Sequence, residues 1–143
     1  MAAAGRTGRW LVIAVKPTVR SASYLSPPDM HRLDWACSPI RRAFGVPPYL
    51  VGSALTRPDF RDIDLRLILD DAVVERMFGA EGTYGTPEHP TPHRLQLLLH
   101  IALSDLIAKA ASLPWPMDFQ IQSMTEANVP EHDGVRCPMG VRW

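Results

Sequence analysis

Three acidic residues carry the chemistry that can be read from this chain. Asp62 and Asp64 stand one residue apart in Asp62-Ile63-Asp64. Asp118 sits in Pro116-Met117-Asp118-Phe119-Gln120-Ile121-Gln122. From Ile63 the residues alternate, and an extended chain sends alternate side chains to opposite faces. Ile63, Leu65, Leu67 and Leu69 therefore share one face, and Asp62, Asp64 and Arg66 share the other. Carboxylates projecting side by side repel unless a cation or a proton intervenes. Oxygen-only ligands suit Mg²⁺ or Mn²⁺. Asp118 shares a polar strand face with Gln120 and Gln122, which are placed to read a base or an acceptor.

Upstream, the apolar run Tyr49-Leu50-Val51 meets Gly52-Ser53. Glycine lets backbone approach a ligand closely, and a turn at a strand end can aim N–H groups at phosphate oxygens. Arg66, on the face of the two acids, is the arginine best placed for phosphate. The competing account makes the three acids solvent-facing strand residues and Ser53 a plain turn residue. A zinc site is not expected. Pro90 and Pro92 prevent His89 and His93 from forming a helical pair, and His132 and Cys137 are isolated in sequence.

Gly-Ser, a short spacer, Asp-x-Asp on a strand and a later strand Asp, in that order, resemble the signature of the nucleotidyltransferase superfamily with the DNA polymerase β-like fold. The resemblance covers roughly Leu33 to Asn128, and the small phage and bacterial members look closest. It implies that Asp62, Asp64 and Asp118 hold Mg²⁺ (or Mn²⁺) and act in catalysis. Gly52, Ser53 and Arg66 would then contact a nucleoside triphosphate such as ATP. The implied reaction moves a nucleoside monophosphate to an acceptor hydroxyl on a protein, a small molecule or a nucleic-acid end. The alternative is a catalytically silent nucleotide-binding or protein-interaction module of toxin–antitoxin or phage–host type. A nuclease using the same acids would leave the Gly-Ser turn without a purpose. The spacer Ala54 to Arg61, which contains Pro58, is shorter than in many members of that superfamily.

The elements that must position these residues follow from periodicity and punctuation. Residues 1–28 are expected to be an N-terminal segment, partly disordered, and 29–143 a single domain. Met1 to Gly8 is small and polar, Arg9 to Val15 leans to a strand, and Lys16 to Pro28 reads as loop. Asp29 is the expected N-cap of a helix from Met30, interrupted at Ser38-Pro39 and closed by Gly45. Asp70 or Asp71 caps a short helix that ends at Phe78, before Gly79. Ala80 to Pro92, with three prolines, reads as a mobile loop. From His93 to about Ser112 the pattern predicts a helix. Leu95, Leu98, Leu99, Ala102, Leu103, Leu106 and Ala110 should form its apolar face. Met117 to Gln122 is the third strand, and a short strand is expected near Val135 to Val141. The order implies an α+β fold, a small mixed sheet with helices packed on one face. The resemblance adds a nucleotidyltransferase-like core, with the first two strands antiparallel and the third beside the second.

Composition sets the outer bounds. The chain has 143 residues, 46% of them hydrophobic, enough for one domain with a real core. Its 15 basic and 15 acidic residues cancel, so no global field draws it to nucleic acid. A local patch remains open at Arg41-Arg42, Arg57, Arg61 and Arg66. Two cysteines, Cys37 and Cys137, are expected to be reduced thiols of a cytoplasmic protein. The apolar run Trp10 to Val15 is too short for a signal peptide, and no stretch approaches the roughly 20 apolar residues of a membrane span.

Overall fold

The computed structural model describes residues 23–79, 94–130 and 134–141. The expectations for Met1 to Gly8, Arg9 to Val15, Ala80 to Pro92, His89, His93 and His132 lie outside them.

Helix α1 spans Pro27–Phe44. Its N-cap is Ser26, whose hydroxyl accepts from the Asp29 amide at 3.3 Å. The expected cap, Asp29, instead lies in the first turn, where its charge suits the helix dipole. Pro27 and Pro28 occupy the first helical positions, where a missing N–H costs nothing. Two residues read as loop thus begin the helix. Nor does Ser38-Pro39 interrupt it. Proline denies the carbonyl of Trp35 its partner, but Trp35 and Pro39 face solvent, where water can take that bond. Leu33, Ala36, Cys37 and Ile40 are buried on both sides of the defect, so core packing outweighs it. Gly45, at φ 75°, closes the helix with its N–H on the Arg41 carbonyl.

Strands β1 (Tyr49–Val51), β2 (Ile63–Leu69), β3 (Met117–Ser123) and β4 (Cys137–Pro138) form one mixed sheet in the order β3-β2-β1-β4. β1 is antiparallel to β2 and β4, and β3 is parallel to β2. Between them lie the single-turn helix α2 (Ser53–Thr56), then α3 (Asp71–Phe78), α4 (Arg94–Ala111) and the short α5 (Met124–Ala127). Ile63, Leu65, Leu67 and Leu69 are buried with alternate residues half-buried, as the sequence pattern requires. They meet Leu33, Ile107, Phe119 and Ile121 in one core. The C-terminal segment returns to α1. The Gly140 amide donates to Asp34 Oδ1 at 2.8 Å, and at φ 73° a Cβ there would press on the Cys37 backbone at 3.0 Å. Cys37 and Cys137 form no disulfide, and burial followed by the charge of Asp34 pushes the Cys37 thiol up.

Helix α4 buries only part of the face that its leucines predict, packing Leu99 and Leu103 against the core. Leu95, Leu98 and Leu106 are 46%, 59% and 51% exposed, while Gln96, His100, Ile107 and Ala111 are buried. The physical reason is the outer edge of β3. An edge strand carries unpaired backbone groups, and buried ones cost free energy. Gln96 Nε2 donates to the Ile121 carbonyl at 2.9 Å. The Ile121 amide donates to His100 Nε2 at 2.9 Å, and the Phe119 amide to Ser104 Oγ at 2.8 Å. Residues four apart share one helix face and residues two apart share one strand edge. One row of polar side chains therefore completes one row of peptide groups.

His100→Leu should leave the Ile121 amide unpaired and lower stability by about 1–3 kcal/mol. Leu98→Gln, on the face that the pattern assigns to the core, should change it by less than about 0.5 kcal/mol. Urea unfolding midpoints of the two variants separate these outcomes. Equal losses would restore the leucine face as the packing face.

Candidate functional site

The site begins at the turn between β1 and α2. Gly52 has φ 77° and ψ −151°, a backbone region that only glycine occupies readily. A Cβ there would meet Asp64 Oδ2 at 2.5 Å. Both the conformation and the close approach of Asp64 therefore require glycine. Ser53 opens α2 with Ala54 buried behind it, so the spacer to the acids begins with a helical turn.

The starts of β2 and β3 are clamped together. Phe60 and Trp115 pack with ring centroids 4.7 Å apart and ring planes tilted by 43°, and the Ile63 amide donates to the Pro116 carbonyl at 2.9 Å. This sets the parallel register in which Asp64 stands opposite Asp118 and Arg66 opposite Gln120. Asp64 and Asp118 thus lie side by side on one sheet face. Asp62 lies at a bend one residue before β2 and is exposed. Asp64 and Asp118 therefore make a carboxyl pair across two strands. Asp62 is near enough to add repulsion at Asp64.

Arg66 joins the pair. Its guanidinium lies 3.2 Å from Asp118 Oδ2 and 3.7 Å from Asp64 Oδ1. It also donates to the carbonyls of Leu65 at 2.9 Å and Asp118 at 3.3 Å. Gln120 Nε2 donates to Asp118 Oδ2 at 3.1 Å. Burial pushes the Asp64 carboxyl up. Arg66 pulls it down, and Asp62 and Asp118 push it up again.

A cavity of about 420 Å³ opens on this face. Gly52, Ser53, Asp64, Arg66 and Gln122 line one side, and Gly134, Val135 and Arg136 the other. Arg136, missed in the sequence, is held by Asn128 Oδ1 at 3.2 Å and by the Ala127 carbonyl. Nothing in its local pattern marks it, because only the return of the C-terminal segment brings it to β2. Arg57 is instead tied to Asp59 on the surface at 2.8 Å, and Arg61 is exposed. Of the arginines clustered in sequence, only Arg66 reaches the cavity. Gln122 lines it, whereas Gln120 turns to Asp118.

Behind the cavity, Ser123 caps α5 by accepting from the Glu126 amide at 3.1 Å. The Thr125 amide and hydroxyl both bind Asp71, joining α5 to α3. Glu126 is 8% exposed and its Oε2 has no hydrogen-bond partner. Burial, opposed by a hydrogen bond at Ser123 and the charge of Arg66, pushes its carboxyl up to about 7.

Among the described residues no group of three or more His, Cys, Asp or Glu side chains is arranged to hold a metal ion. Asp64 and Asp118 nevertheless suit a small hard cation, because Mg²⁺ is commonly held by one or two carboxylates with waters and phosphate oxygens. Arg66 supplies the positive charge between them in this structure. Compared with models of known protein families, with curated proteins and with solved structures, the chain matches none. Fold and site therefore define a class on their own terms, an α+β domain with an acid pair beside an arginine-lined cavity.

Two outcomes test this geometry. Gly52→Ala should cost about 1–3 kcal/mol from backbone strain and drive the Asp64 carboxyl from its place. Adding Asp64→Ala should relieve the clash but not the strain, so the double variant recovers only part of the loss in urea unfolding. Full recovery would show that φ at Gly52 carries no cost. The folded protein also holds the Glu126 proton to higher pH than the unfolded chain, where it titrates near 4.5. That stabilising contribution is full below about pH 4.5 and lost as pH rises through about 7. Glu126→Gln should therefore gain stability relative to wild type between about pH 4.5 and about pH 7.5 and hold that gain above it. A constant difference over that range would place the Glu126 carboxyl in water.

Proposed function

We propose that this chain is a nucleotidyltransferase that uses Mg²⁺ or Mn²⁺, with a nucleoside triphosphate in the 420 Å³ cavity. The observation that carries the reading is the in-register pair Asp64 and Asp118 beside Gly52, with Arg66 and Arg136 on the same cavity. The two arginines match the charge of a triphosphate, and guanidinium groups suit phosphate geometry. Ser53 offers a hydroxyl to a phosphate oxygen. Asp64 and Asp118, with Asp62 on the exposed side, are the residues that would hold the cation. Held there, a cation would neutralise phosphate charge and would stabilise the attacking and leaving oxygens of an in-line displacement.

The acceptor hydroxyl oxygen attacks the α-phosphorus. One O–P bond forms, the bond from the α-phosphorus to the bridging oxygen breaks, and pyrophosphate leaves. Asp118, the more exposed acid of the pair, stands on the acceptor side and takes the hydroxyl proton. Arg66 holds both carboxylates in place before the nucleotide arrives, and its charge then turns to the phosphates. We place the protein in the cytoplasm, in line with two cysteines that form no disulfide. Among the described residues no helix is long and apolar enough to cross a membrane.

One observation favours a second reading. Arg66 already occupies the position between the acids, which suits a catalytically silent module that binds nucleotide without a metal. Thermal shift distinguishes the two. Wild type should gain several degrees with a nucleoside triphosphate and Mg²⁺ at saturating concentration. Asp64→Asn should abolish that gain, because it removes one charge of the pair, yet be as stable as wild type or more so without ligand. Arg66→Ala should weaken nucleotide binding and retain the Mg²⁺ response. A full shift without Mg²⁺, unchanged in Asp64→Asn, would establish the silent module. No shift with any triphosphate removes both.

A further inference from the structure

The cavity described above has two unlike ends. Asp64, Arg66 and Ile68 lie at alternate positions of β2, and in the parallel register Ile68 stands opposite Gln122 of β3. All four line the cavity. Asp64 and Ile68 are four residues apart, roughly 13 Å along an extended strand. One end is charged, with Asp64, Arg66 and the Gly52 turn. At the other, Ala127 joins Ile68 and Gln122, because α5 follows β3 directly. Val51 and Val135 add apolar surface, and among the described residues no aromatic side chain lines the cavity.

Gln122 differs from the rest of that lining. It is only 6% exposed, on the strand face that it shares with Asp118 and Gln120. Gln120 donates to Asp118 Oδ2 at 3.1 Å, so its amide is engaged. The Gln122 carboxamide makes no hydrogen bond to any described residue. Leaving a buried donor and acceptor both unused costs free energy, and a ligand that meets both removes that cost. Arg136 reaches over from the opposite wall, but its guanidinium is held there by Asn128 Oδ1 and the Ala127 carbonyl. Aliphatic walls can cover a flat ring without fixing its orientation, so at this end orientation falls to the Gln122 amide.

We infer that the end at Ile68 and Gln122 is a base pocket and that Gln122 selects an adenine nucleotide, whose phosphates run toward Arg66 and the Gly52 turn. The inference rests on the nucleotide reading proposed above and names the substrate class of that site. A carboxamide sets one acceptor beside one donor. Adenine presents the complement, an amino donor beside a ring-nitrogen acceptor, on both of its open edges. Gln122 therefore pairs with it through two hydrogen bonds whichever edge is turned inward. Guanine presents two acceptors on one of those edges, a pattern that suits a guanidinium rather than an amide. Cytosine and uracil offer at most one matching edge, on a smaller ring that covers less of Ile68 and Ala127.

The test is titration calorimetry of the full-length chain with ATP, GTP, CTP, UTP and inorganic tripolyphosphate, each with Mg²⁺. Wild type should bind ATP about tenfold or more tighter than the other three nucleotides and than tripolyphosphate. Gln122→Met keeps the length of the side chain and removes both hydrogen-bonding groups. In that variant, its fold checked by the urea midpoint, ATP should fall to the level of the other nucleotides. A further arm needs no variant: purine riboside triphosphate, which lacks the amino group, should bind wild type as weakly as GTP. A preference for GTP would overturn the inference by assigning the base to Arg136. Equal affinity for all four nucleotides, tripolyphosphate or the purine analogue bound as tightly as ATP, or an ATP preference intact in Gln122→Met would overturn it as well. Repeating the titrations without Mg²⁺ separates the two layers. An ATP preference that depends on Gln122 but not on Mg²⁺ keeps the adenine pocket and leaves the silent module. Mg²⁺-dependent binding of all four nucleotides alike removes the pocket and keeps the transferase reading. No binding of any nucleotide removes both.

Discussion

The architecture turns on how the outer edge of β3 is closed. β3 pairs with β2 along one side only, and its other side exposes the peptide groups of Phe119 and Ile121. Each such group left dry and unpaired costs about 1–3 kcal/mol. Gln96, His100 and Ser104 meet that demand from one face of α4. The helix is thereby locked in rotation and in register against the strand. Asp118, between the bonded Phe119 and the clamp at Trp115 and Pro116, is fixed opposite Asp64 as a consequence. The rotation also turns Leu97, Leu98 and Ile101 outward and leaves them exposed.

Charge in the site is balanced locally. Asp62, Asp64 and Asp118 face Arg66 and, across the cavity, Arg136. Glu126 lies buried nearby, and near neutral pH it is close to the midpoint between its neutral and charged forms. Arg66 is the common member, touching both acids and two backbone carbonyls. Its side chain is only 17% exposed, so its interactions are screened less than those of Arg57 with Asp59 at the surface. A ligand with more negative charge than the two carboxylates has an arginine already positioned to receive it.

Much of this was legible in the chain. Period-two alternation over Ile63 to Leu69 returns β2 with its buried face, because a strand half-covered by helices selects for that pattern residue by residue. Gly45 and Gly79 end helices as their backbone freedom allows. Gly52-Ser53, Asp64, Arg66 and Asp118 fall where spacing and alternation predict, since all depend on neighbours in sequence. The small mixed sheet of an α+β fold follows from the same local signals, whereas the antiparallel pairing of β1 with β2 was implied only by the resemblance.

What escaped the sequence depends on contacts between distant segments. The leucine periodicity of α4 is real, yet only Leu99 and Leu103 of that face reach the core, because hydrophobic patterning does not count the unpaired peptide groups of a strand that arrives later in the chain. Pro39 reads as a helix break until buried Leu33, Ala36 and Ile40 are seen to hold both sides of it. Asp62 looks equivalent to Asp64 in a one-dimensional pattern, but the chain bends before β2 and leaves Asp62 exposed where Asp64 is half-buried. Arg136 enters the cavity only because the C-terminal segment returns past β1, with Gly140 fitted against α1. Local propensity reaches a few residues along the chain. Satisfying buried hydrogen bonds and balancing buried charge are obligations of the whole fold, and they placed these residues.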